Sequence, residues 1–193
     1  MKAREPNRRL LWFWWLILIA IIALAIVLAL KIDGLRKPAE QNQPGLYSVS
    51  QFIDGDTIAV NMNGTTEIIR MIGVDTPETH RPNTPVQCYG PQAADFTENF
   101  IGKKKVRLQA DPLNTNRDRY DRLLRYVYLP DGTMLEEAII SQGYGFAYTL
   151  FPYQKIEEFK GYETVAKAVG RGLWTACQVI TQSNGLKQTN PAP

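Results

Sequence analysis

The sequence predicts an α+β domain, a small five-stranded barrel with three packed helices, preceded by one transmembrane helix. Three observations lead to this prediction: an uncharged run near the start, short strand-like segments in the middle, and longer segments of helical spacing towards the end. At 193 residues, 45% hydrophobic and 21% charged, the chain accommodates one ordinary domain plus extensions. This composition excludes an acidic disordered tail and a low-complexity polymer.

The net charge of +3 is unevenly distributed. Residues 1–37 hold seven cations and two acids, whereas residues 38–193 hold fifteen cations and seventeen acids. A globally basic nucleic-acid binder is therefore not indicated, and any polyanion site must use locally placed arginines. Two cysteines exclude a disulfide-rich scaffold and a four-cysteine zinc site, and a single histidine, His80, excludes a multi-histidine metal centre within one chain.

The uncharged run extends over 21 residues, from Leu10 to Leu30. As a helix it would be ~31 Å long, enough for the ~30 Å hydrocarbon core of a bilayer. The adjacent tryptophans suit a headgroup interface, and the flanking cations slightly favour an inside N-terminus. The alternative is a cleaved signal peptide, whose apolar core is normally only ~7–15 residues long. Both interpretations export the domain; we favour the uncleaved anchor.

Composition changes give five predicted regions. They are a basic tail at 1–9, a transmembrane anchor at 10–30, a polar linker at 31–45, the folded domain at 46–178 and a flexible polar tail at 179–193.

Five segments in the front and middle of the folded domain are typical of strands. They cover 47–54, Thr57–Val60, Glu67–Val74, Val106–Ala110 and Leu124–Leu129. Asn63-Gly64 predicts a two-residue hairpin turn between the second and third strands, since both central positions need positive φ.

Three segments show helical spacing of apolar residues. The first is Gln92–Ile101, the second follows a possible capping box of Thr133 and Glu136, and the third runs from Ile156 to Val169 and ends at Gly170. Five strands and three helices are most economically an oligonucleotide-binding (OB) barrel with packed helices.

Two acidic clusters are candidates for chemistry. Asp54 and Asp56 lie between the first two strands, and Asp75 and Glu78 follow the third. Each cluster alone is more simply a turn. Because the hairpin brings Asp56 and Asp75 to the same end of the strand pair, a bend or bulge could make them meet. Two carboxylates with a backbone carbonyl and waters would suit a hard cation such as Ca²⁺.

Arginines accompany these acids. Arg70 precedes Asp75 by five residues, on the opposite face if alternation were strict, and four arginines surround the last predicted strand: Arg117, Arg119, Arg122 and Arg125. The simple interpretation is a solvated basic loop. The functional one is that two guanidiniums beside a metal bind a phosphodiester and stabilise its transition state. Residue types alone therefore indicate a possible metal-dependent phosphodiesterase.

Six segments in collinear order extend this interpretation. They are IDGDT at 53–57, RMIGVDTPET at 70–79, CYGPQAADFT at 88–97, RDRYDRLLRYVY at 117–128, LPDGTMLEEAIISQGYG at 129–145 and GRGLW at 170–174. Across about Leu46–Cys177 the chain resembles the staphylococcal nuclease (thermonuclease) family. The resemblance implies an OB barrel with three helices and Ca²⁺-dependent hydrolysis of DNA and RNA phosphodiesters.

The resemblance also implies residue roles. Asp56 and Asp75 would bind Ca²⁺ together with the backbone carbonyl of Thr76, and Asp54 would support the metal site from behind. Glu78 would act as the general base or orient the attacking water. Arg70 and Arg122 would bind the scissile phosphate and stabilise its transition state.

Substrate contacts are expected at Arg119, Tyr120 and Tyr148; the alignment around Tyr148 needs a small gap. Asp121 stands where the family usually has Gly, which makes the placement of Arg122 less certain if that residue has positive φ. His80 follows the acidic motif directly, but the family does not use this position for chemistry, and we expect a surface loop residue.

Cys88 and Cys177 are predicted to form a disulfide, because an exported domain lies in an oxidising compartment. Two independent cysteines are the alternative.

The sequence thus predicts an outward-facing, membrane-anchored, Ca²⁺-dependent nuclease acting preferentially on single-stranded DNA and RNA, with no obligate protein partner evident. The alternative is a non-catalytic OB-fold module that binds nucleic acid or serves as an envelope scaffold.

Overall fold

A computed structural model describes residues 12, 14, 15, 17–26, 45–80 and 84–192. The chain divides into two units, Met1–Ala39 and Glu40–Pro193. The described residues of the first unit are helical, and their tryptophans are exposed.

Within the described residues, no helix combines the length and apolar character needed to cross a membrane. Several positions of the predicted anchor at 10–30, the basic tail at 1–9 and all but the last residue of the linker at 31–45 lie outside the described residues. The anchor stays a prediction.

The second unit contains nine strands and four helices among its described residues. The strands are β1 Tyr47–Asp54, β2 Thr57–Met62, β3 Thr65–Met71, β4 Val74–Asp75, β5 Lys105–Gln109, β6 Leu123–Tyr128, β7 Phe146–Ala147, β8 Val179–Thr181 and β9 Lys187–Thr189. The helices are α1 Gly90–Ile101, α2 Leu135–Ser141, α3 Ile156–Ala168 and α4 Leu173–Ala176.

Five strands form a closed barrel in the order β1-β2-β3-β6-β5. The sequential strands β1, β2 and β3 pair antiparallel, β6 runs parallel to β3, and β5 closes the barrel against β1 at Tyr47 and Val106. Ile58, Ile69 and Leu123 lie fully buried in its core. The predicted five-stranded barrel with helices is therefore confirmed.

The hairpin between β2 and β3 follows from its two turn residues. Asn63 and Gly64 have φ of 54° and 91°, and the flanking pair is Met62 with Thr65. This local prediction is confirmed because the turn type depends only on residues that tolerate positive φ.

The predicted third strand, Glu67–Val74, extends beyond the observed one. β3 ends at Met71, and a turn at Ile72-Gly73 separates it from β4, which pairs with β7 instead. Gly73 has φ of 75°, and a Cβ there would lie 2.6 Å from the ring of Tyr153. Only glycine fits this turn, because both the backbone conformation and the packed ring exclude a side chain.

The predicted capping box of Thr133 and Glu136 is wrong. α2 begins at Leu135 with Met134 at its N-cap and has no side-chain cap. Glu136 is fully buried, and its carboxylate accepts hydrogen bonds from the backbone N–H of Val127 in β6, at 2.9 and 3.2 Å. A contact across the fold therefore replaces the local one.

The C-terminal segment, expected from its polar composition to be a flexible tail, contains two short strands and contacts the domain. Strands β8 and β9 form a hairpin, and residues up to Ala192 hydrogen-bond to the segment before α1. Cys88 and Cys177 form a disulfide with their Cα atoms 5.9 Å apart, within the range that a bridge needs. We call residues 189–192 the C-terminal strap.

Candidate active site

The first acidic cluster lies in the two-residue turn between β1 and β2. Asp56 is 7% exposed; its carboxylate accepts hydrogen bonds from the Thr57 hydroxyl at 2.8 Å and the Thr76 backbone N–H at 2.9 Å. Gly55 permits this approach, because a Cβ there would lie 2.8 Å from Thr76 Oγ1 and 3.0 Å from Ala93 Cβ. The turn, the Thr76 loop and α1 therefore meet closely around Asp56.

The turn at Gly73 brings the second cluster to the first. Because the chain reverses there, Asp75 does not continue the strand of Arg70 but lies beside its side chain. Alternation is therefore not strict between Arg70 and Asp75, because the turn at Gly73 interrupts the strand. The bend that the sequence required is the Ile72-Gly73 turn.

Arg70 connects the two acidic clusters. Its Nη2 lies 3.2 Å from Asp56 Oδ2 and 2.8 Å from Asp75 Oδ1, and its Nη1 donates to the Val74 carbonyl at 2.7 Å. The side chain is only 14% exposed. Burial opposes its charge, but the carboxylates of Asp56 and Asp75 raise the pKa of Arg70. The guanidinium therefore stays charged, and both carboxylates contact the same nitrogen, Nη2.

Asp54 lies behind this arrangement. Its Oδ1 accepts hydrogen bonds from the Gly55 N–H at 2.9 Å and the Thr79 hydroxyl at 3.0 Å. Burial and the neighbouring charge of Asp56 raise the pKa of Asp54. Asp54 thus ties the β1–β2 turn to the loop that carries Glu78.

Glu78 is half-buried on that loop. Burial has the largest effect on the pKa of Arg70 and lowers it; Asp56 and Asp75 raise that pKa, and the charge of Glu78 raises it to a smaller extent. The backbone of Glu78 is held by Gln87: its N–H donates to Gln87 Oε1 at 3.0 Å, and its carbonyl accepts from the Gln87 N–H at 2.9 Å. His80, two residues after Glu78, is exposed, and its Nδ1 lies 2.6 Å from Thr79 Oγ1.

Arg122 is held by a different carboxylate. Its Nε and Nη2 each lie 2.7 Å from Asp118 Oδ2, and its backbone N–H donates to Asp118 Oδ1 at 3.0 Å. Burial alone would raise the pKa of Asp118, but its hydrogen bonds with Arg122 and Tyr120 hold that pKa below the usual value. Arg122 therefore contacts Asp118 and lies near the Tyr120 ring.

The arginines of the 117–128 segment lie in two kinds of surroundings. The guanidinium carbons of Arg119 and Arg122 lie 4.7 and 5.4 Å from the centroid of the exposed Tyr120 ring. Arg117 pairs with Glu67 at 3.0 Å, whereas Arg125 is fully buried and donates to Asn116. The segment is therefore not a uniformly solvated basic loop.

Tyr148 follows β7 and lies near the Arg70 cluster. Its backbone N–H donates to the Gly73 carbonyl at 2.9 Å. Burial and then the charge of Asp75 raise the pKa of its phenol, whereas Arg70 and Arg119 lower it. The ring is half-exposed, 6.1 Å from that of Phe151.

Sequence reasoning missed several residues that shape the site. Asp118 had a recognisable signal, because Asp commonly accepts hydrogen bonds from backbone N–H groups two residues further on. Thr57, Thr79 and Gln87 had none, since their partners are fixed by the fold.

A metal ion would find oxygen donors here. The carboxylates of Asp56 and Asp75 meet at one Arg70 nitrogen, Thr76 follows directly, and Thr76 Oγ1 is buried without a hydrogen-bond partner in the described part of the chain. No group of three or more His, Cys, Asp or Glu side chains with metal-binding geometry occurs among the described residues. Two carboxylates with carbonyl and water oxygens therefore form the available set, which fits a hard cation.

The fold and site together define a class of protein: an OB barrel with a carboxylate–arginine cluster at the β1–β2 turn. Comparison with known proteins agrees. A family model described as "Staphylococcal nuclease homologue" matches residues 68–176. The chain belongs to this staphylococcal nuclease family.

Similar individual proteins carry related names. The thermonuclease of Staphylococcus hyicus is 39% identical over 168 residues, which cover 82% of this chain and 95% of that protein. Endonuclease YncB of Bacillus subtilis (strain 168) is 37% identical over 148 residues, covering 75% of this chain and 69% of that protein.

Proposed function

We propose that this chain is a nuclease that hydrolyses phosphodiester bonds of DNA and RNA with Ca²⁺ as its cofactor. The contact of one buried guanidinium, Arg70, with both Asp56 and Asp75 carries the proposal, because it assembles a phosphate-binding cation and two metal-binding anions at one point. Membership of the nuclease family and relatives named thermonuclease and endonuclease support it.

Asp56, Asp75 and the Thr76 carbonyl would hold the calcium ion, with Asp54 behind them. When bound, a divalent cation neutralises charge on the phosphate and orients water. Asp56 would enter such a shell already oriented, because the Thr57 hydroxyl and the Thr76 N–H fix its two oxygens.

The chain's own residues supply the remaining chemistry. Glu78 accepts a proton from the water whose oxygen attacks phosphorus in line. The bond from phosphorus to the 5′ oxygen breaks, and that oxygen takes up a proton from solvent. Arg70 and Arg122 donate hydrogen bonds to the phosphate oxygens as negative charge builds up on them.

Arg122 retains N–H donors for this role. A guanidinium has five N–H donors, so the ion pair of Arg122 with Asp118 leaves donors for a phosphate oxygen. We place the attacking water between Glu78 and the phosphate bound by Arg70 and Arg122.

Aromatic and basic residues near the site are assigned to substrate contact and to the preference for single-stranded nucleic acid. Tyr120 and Tyr148 offer ring faces to unpaired bases, and Arg119 beside Tyr120 offers a cation to the backbone. Stacking on aromatic rings is available to unpaired bases, which favours single-stranded DNA and RNA.

Cleavage of single-stranded DNA by the purified full chain in detergent, with Ca²⁺ and then with a chelator, tests the proposal. Asp56→Ala and Asp75→Ala should each abolish Ca²⁺-dependent cleavage with the fold retained. Asp95→Ala, which removes an exposed carboxylate on α1, is the matched control and should cleave normally. Binding of DNA without any cleavage by the wild-type chain would favour the non-catalytic binding or scaffold alternative.

We also propose that residues 10–30 anchor the protein in the cell membrane with the nuclease domain outside. The 21-residue uncharged run and its flanking cations support this proposal. The full chain should remain with the membrane after an alkaline carbonate wash and be digested by protease added to intact cells. A mature protein that lacks residues 1–30 by mass would indicate a cleaved signal peptide and a secreted enzyme.

A further inference from the structure

Gln87 forms two hydrogen bonds with the backbone of Glu78. Its side-chain Oε1 accepts a hydrogen bond from the Glu78 N–H at 3.0 Å, and its own N–H donates to the Glu78 carbonyl at 2.9 Å. The two residues are nine positions apart, so the contact closes the loop between them. Any movement of Gln87 is therefore transmitted directly to residue 78.

Gln87 is itself held from behind by the C-terminal strap. It forms a β-bridge with Pro191, while the neighbouring Cys88 N–H donates to the Asn190 carbonyl and the Cys88 carbonyl accepts from the Thr189 hydroxyl, each at 2.7 Å. The Cys88–Cys177 disulfide adds a covalent tie at the same place. Gln87, whose Oε1 accepts from the Glu78 N–H, thus belongs to a segment that is itself held by hydrogen bonds and a disulfide.

The start of α1 also packs closely against the Glu78 backbone. A Cβ at Gly90 would lie 2.9 Å from the Glu78 carbonyl oxygen, so the start of α1 approaches the loop as closely as glycine allows. On the far side of residue 78, the Thr79 hydroxyl donates to Asp54. Glu78 therefore sits between the Asp54 turn and the Gln87 brace.

We infer that Gln87 is a positioning residue for Glu78, holding it at the Arg70 site for proton transfer. The inference rests on the proposed function, in which Glu78 accepts the proton. The essential group is the side-chain acceptor, since Oε1 is the atom that meets the Glu78 N–H. Misplacing a catalytic group by about 1 Å can slow a reaction about a hundredfold. Loss of the Gln87–Glu78 hydrogen bond should therefore lower kcat measurably.

Three variants isolate the acceptor. Gln87→Leu keeps similar side-chain volume but removes Oε1, Gln87→Glu retains an acceptor oxygen, and Gln92→Ala removes a nearby exposed glutamine of α1 as a control. With Ca²⁺ and single-stranded DNA, Gln87→Leu should lower kcat at least about tenfold with KM within about twofold. Gln87→Glu should stay within about threefold of wild type, and Gln92→Ala should be unchanged. Wild-type turnover in Gln87→Leu, or equal losses in Gln87→Leu and Gln87→Glu, would overturn the inference.

A double-mutant cycle separates positioning from a general effect on the fold. In the Glu78→Gln background, adding Gln87→Leu should cause little further loss of kcat, because the group that Gln87 positions is already inactive. Equal losses in both backgrounds would show that Gln87 acts elsewhere.

Amide hydrogen exchange gives a readout independent of cleavage. In Gln87→Leu the Glu78 N–H should exchange faster, while barrel amides such as that of Ile69 keep their protection. Unchanged exchange at residue 78 would overturn the brace whatever the activity. Absence of cleavage by the wild-type chain, together with faster exchange at residue 78 in the variant, would overturn the proposed function and the positioning role while leaving the contact itself intact.

Discussion

Arg70 and Arg122, the two arginines proposed to bind the phosphate, lie in unlike surroundings. The Arg70 side chain is 14% exposed and contacts Asp56, fourteen positions away, as well as Asp75 across the Gly73 turn. The Arg122 side chain is 29% exposed and pairs with Asp118, four positions away in its own loop. One arginine is therefore fixed by the β2–β3 pairing and the Gly73 turn, and the other by a turn within its own loop.

The local turn around Arg122 is built from few residues. Asp118 accepts hydrogen bonds from the backbone N–H groups of Tyr120 and Arg122, and Asp121 adopts φ of 64° between them. The site thus combines a rigid element with one whose geometry can change at little cost to the fold. Variants on each side should affect stability and cleavage in different proportions.

The largest effect is expected from Arg70→Ala. Cleavage should fall at least about a thousandfold, because a phosphate donor is lost from a buried site. The free energy of unfolding should fall by about 3 kcal/mol, since Asp56 and Asp75 lose their shared cation. Urea unfolding should show Ca²⁺ stabilising this variant more than wild type, because the ion replaces the missing charge. An unfolding free energy equal to that of wild type would mean that the two carboxylates do not depend on Arg70.

Arg122→Ala should separate activity from stability. We expect cleavage to fall about 10²- to 10³-fold, while the free energy of unfolding changes by less than about 1 kcal/mol, because a partly exposed ion pair contributes little. Parallel kinetic and urea-unfolding measurements check this. A loss of stability as large as that of Arg70→Ala would remove the contrast between the two regions.

Glu78→Gln tests the acid on the Arg70 side. The amide has the same size but cannot take up a proton, so cleavage should slow about a hundredfold or more. The Ca²⁺ titration midpoint should stay near the wild-type value if Glu78 acts through water. Calorimetry that shows calcium binding lost together with activity would make Glu78 a ligand. A loss of less than tenfold would make His80 the next residue to test.

Asp118→Asn probes the Arg122 side through pH. The pKa of Asp118 is lower in the folded than in the unfolded state, so its contribution to stability is full above the unfolded pKa and is lost as pH falls through the folded one. The free energy of unfolding of the wild type should exceed that of the variant by up to about 1 kcal/mol at pH 7. Unfolding curves at pH 7 and at pH 3 should show this difference shrinking in acid. A difference independent of pH would place the effect elsewhere than in the ion pair.

Asp121→Gly should have the smallest effect. Glycine adopts φ of 64° without strain but loses the 3.7 Å contact of the Asp121 carboxylate with Arg117 and gains freedom in the unfolded chain. The free energy of unfolding should stay within about 1 kcal/mol of wild type, with cleavage within about threefold. Thermal unfolding and initial rates measure both. A larger loss of cleavage would show that Asp121 itself contributes to the placement of Arg122.

Prediction from the sequence succeeded where the signal was local. The Asn63-Gly64 hairpin depends on two residues that accept positive φ, and the last long helix ends before Gly170, whose φ is 66°. The strand and helix patterns were sufficient for the barrel and its packed helices. The site residues were indicated by their motifs, but not the contacts among them.

Prediction failed where a distant partner decided the outcome. Glu136 matched a capping box, yet it is buried and accepts from Val127 of β6. The polar segment after Gln178 gave no strand signal, yet it forms the β8–β9 hairpin and is paired with the segment before α1, beside the disulfide. In both cases the local pattern was compatible with several structures, and burial or pairing against another element selected one.

By itself, then, the sequence determined the turns, the apolar periodicities and the set of carboxylates and guanidiniums available for chemistry. These properties depend on backbone sterics and side-chain type within a few residues. Only the tertiary structure decided that Arg70 joins Asp56 to Asp75 and that Gln87 braces Glu78. Those contacts form because the β2–β3 pairing, the Gly73 turn and the C-terminal strap bring together groups whose attraction acts over only a few ångströms.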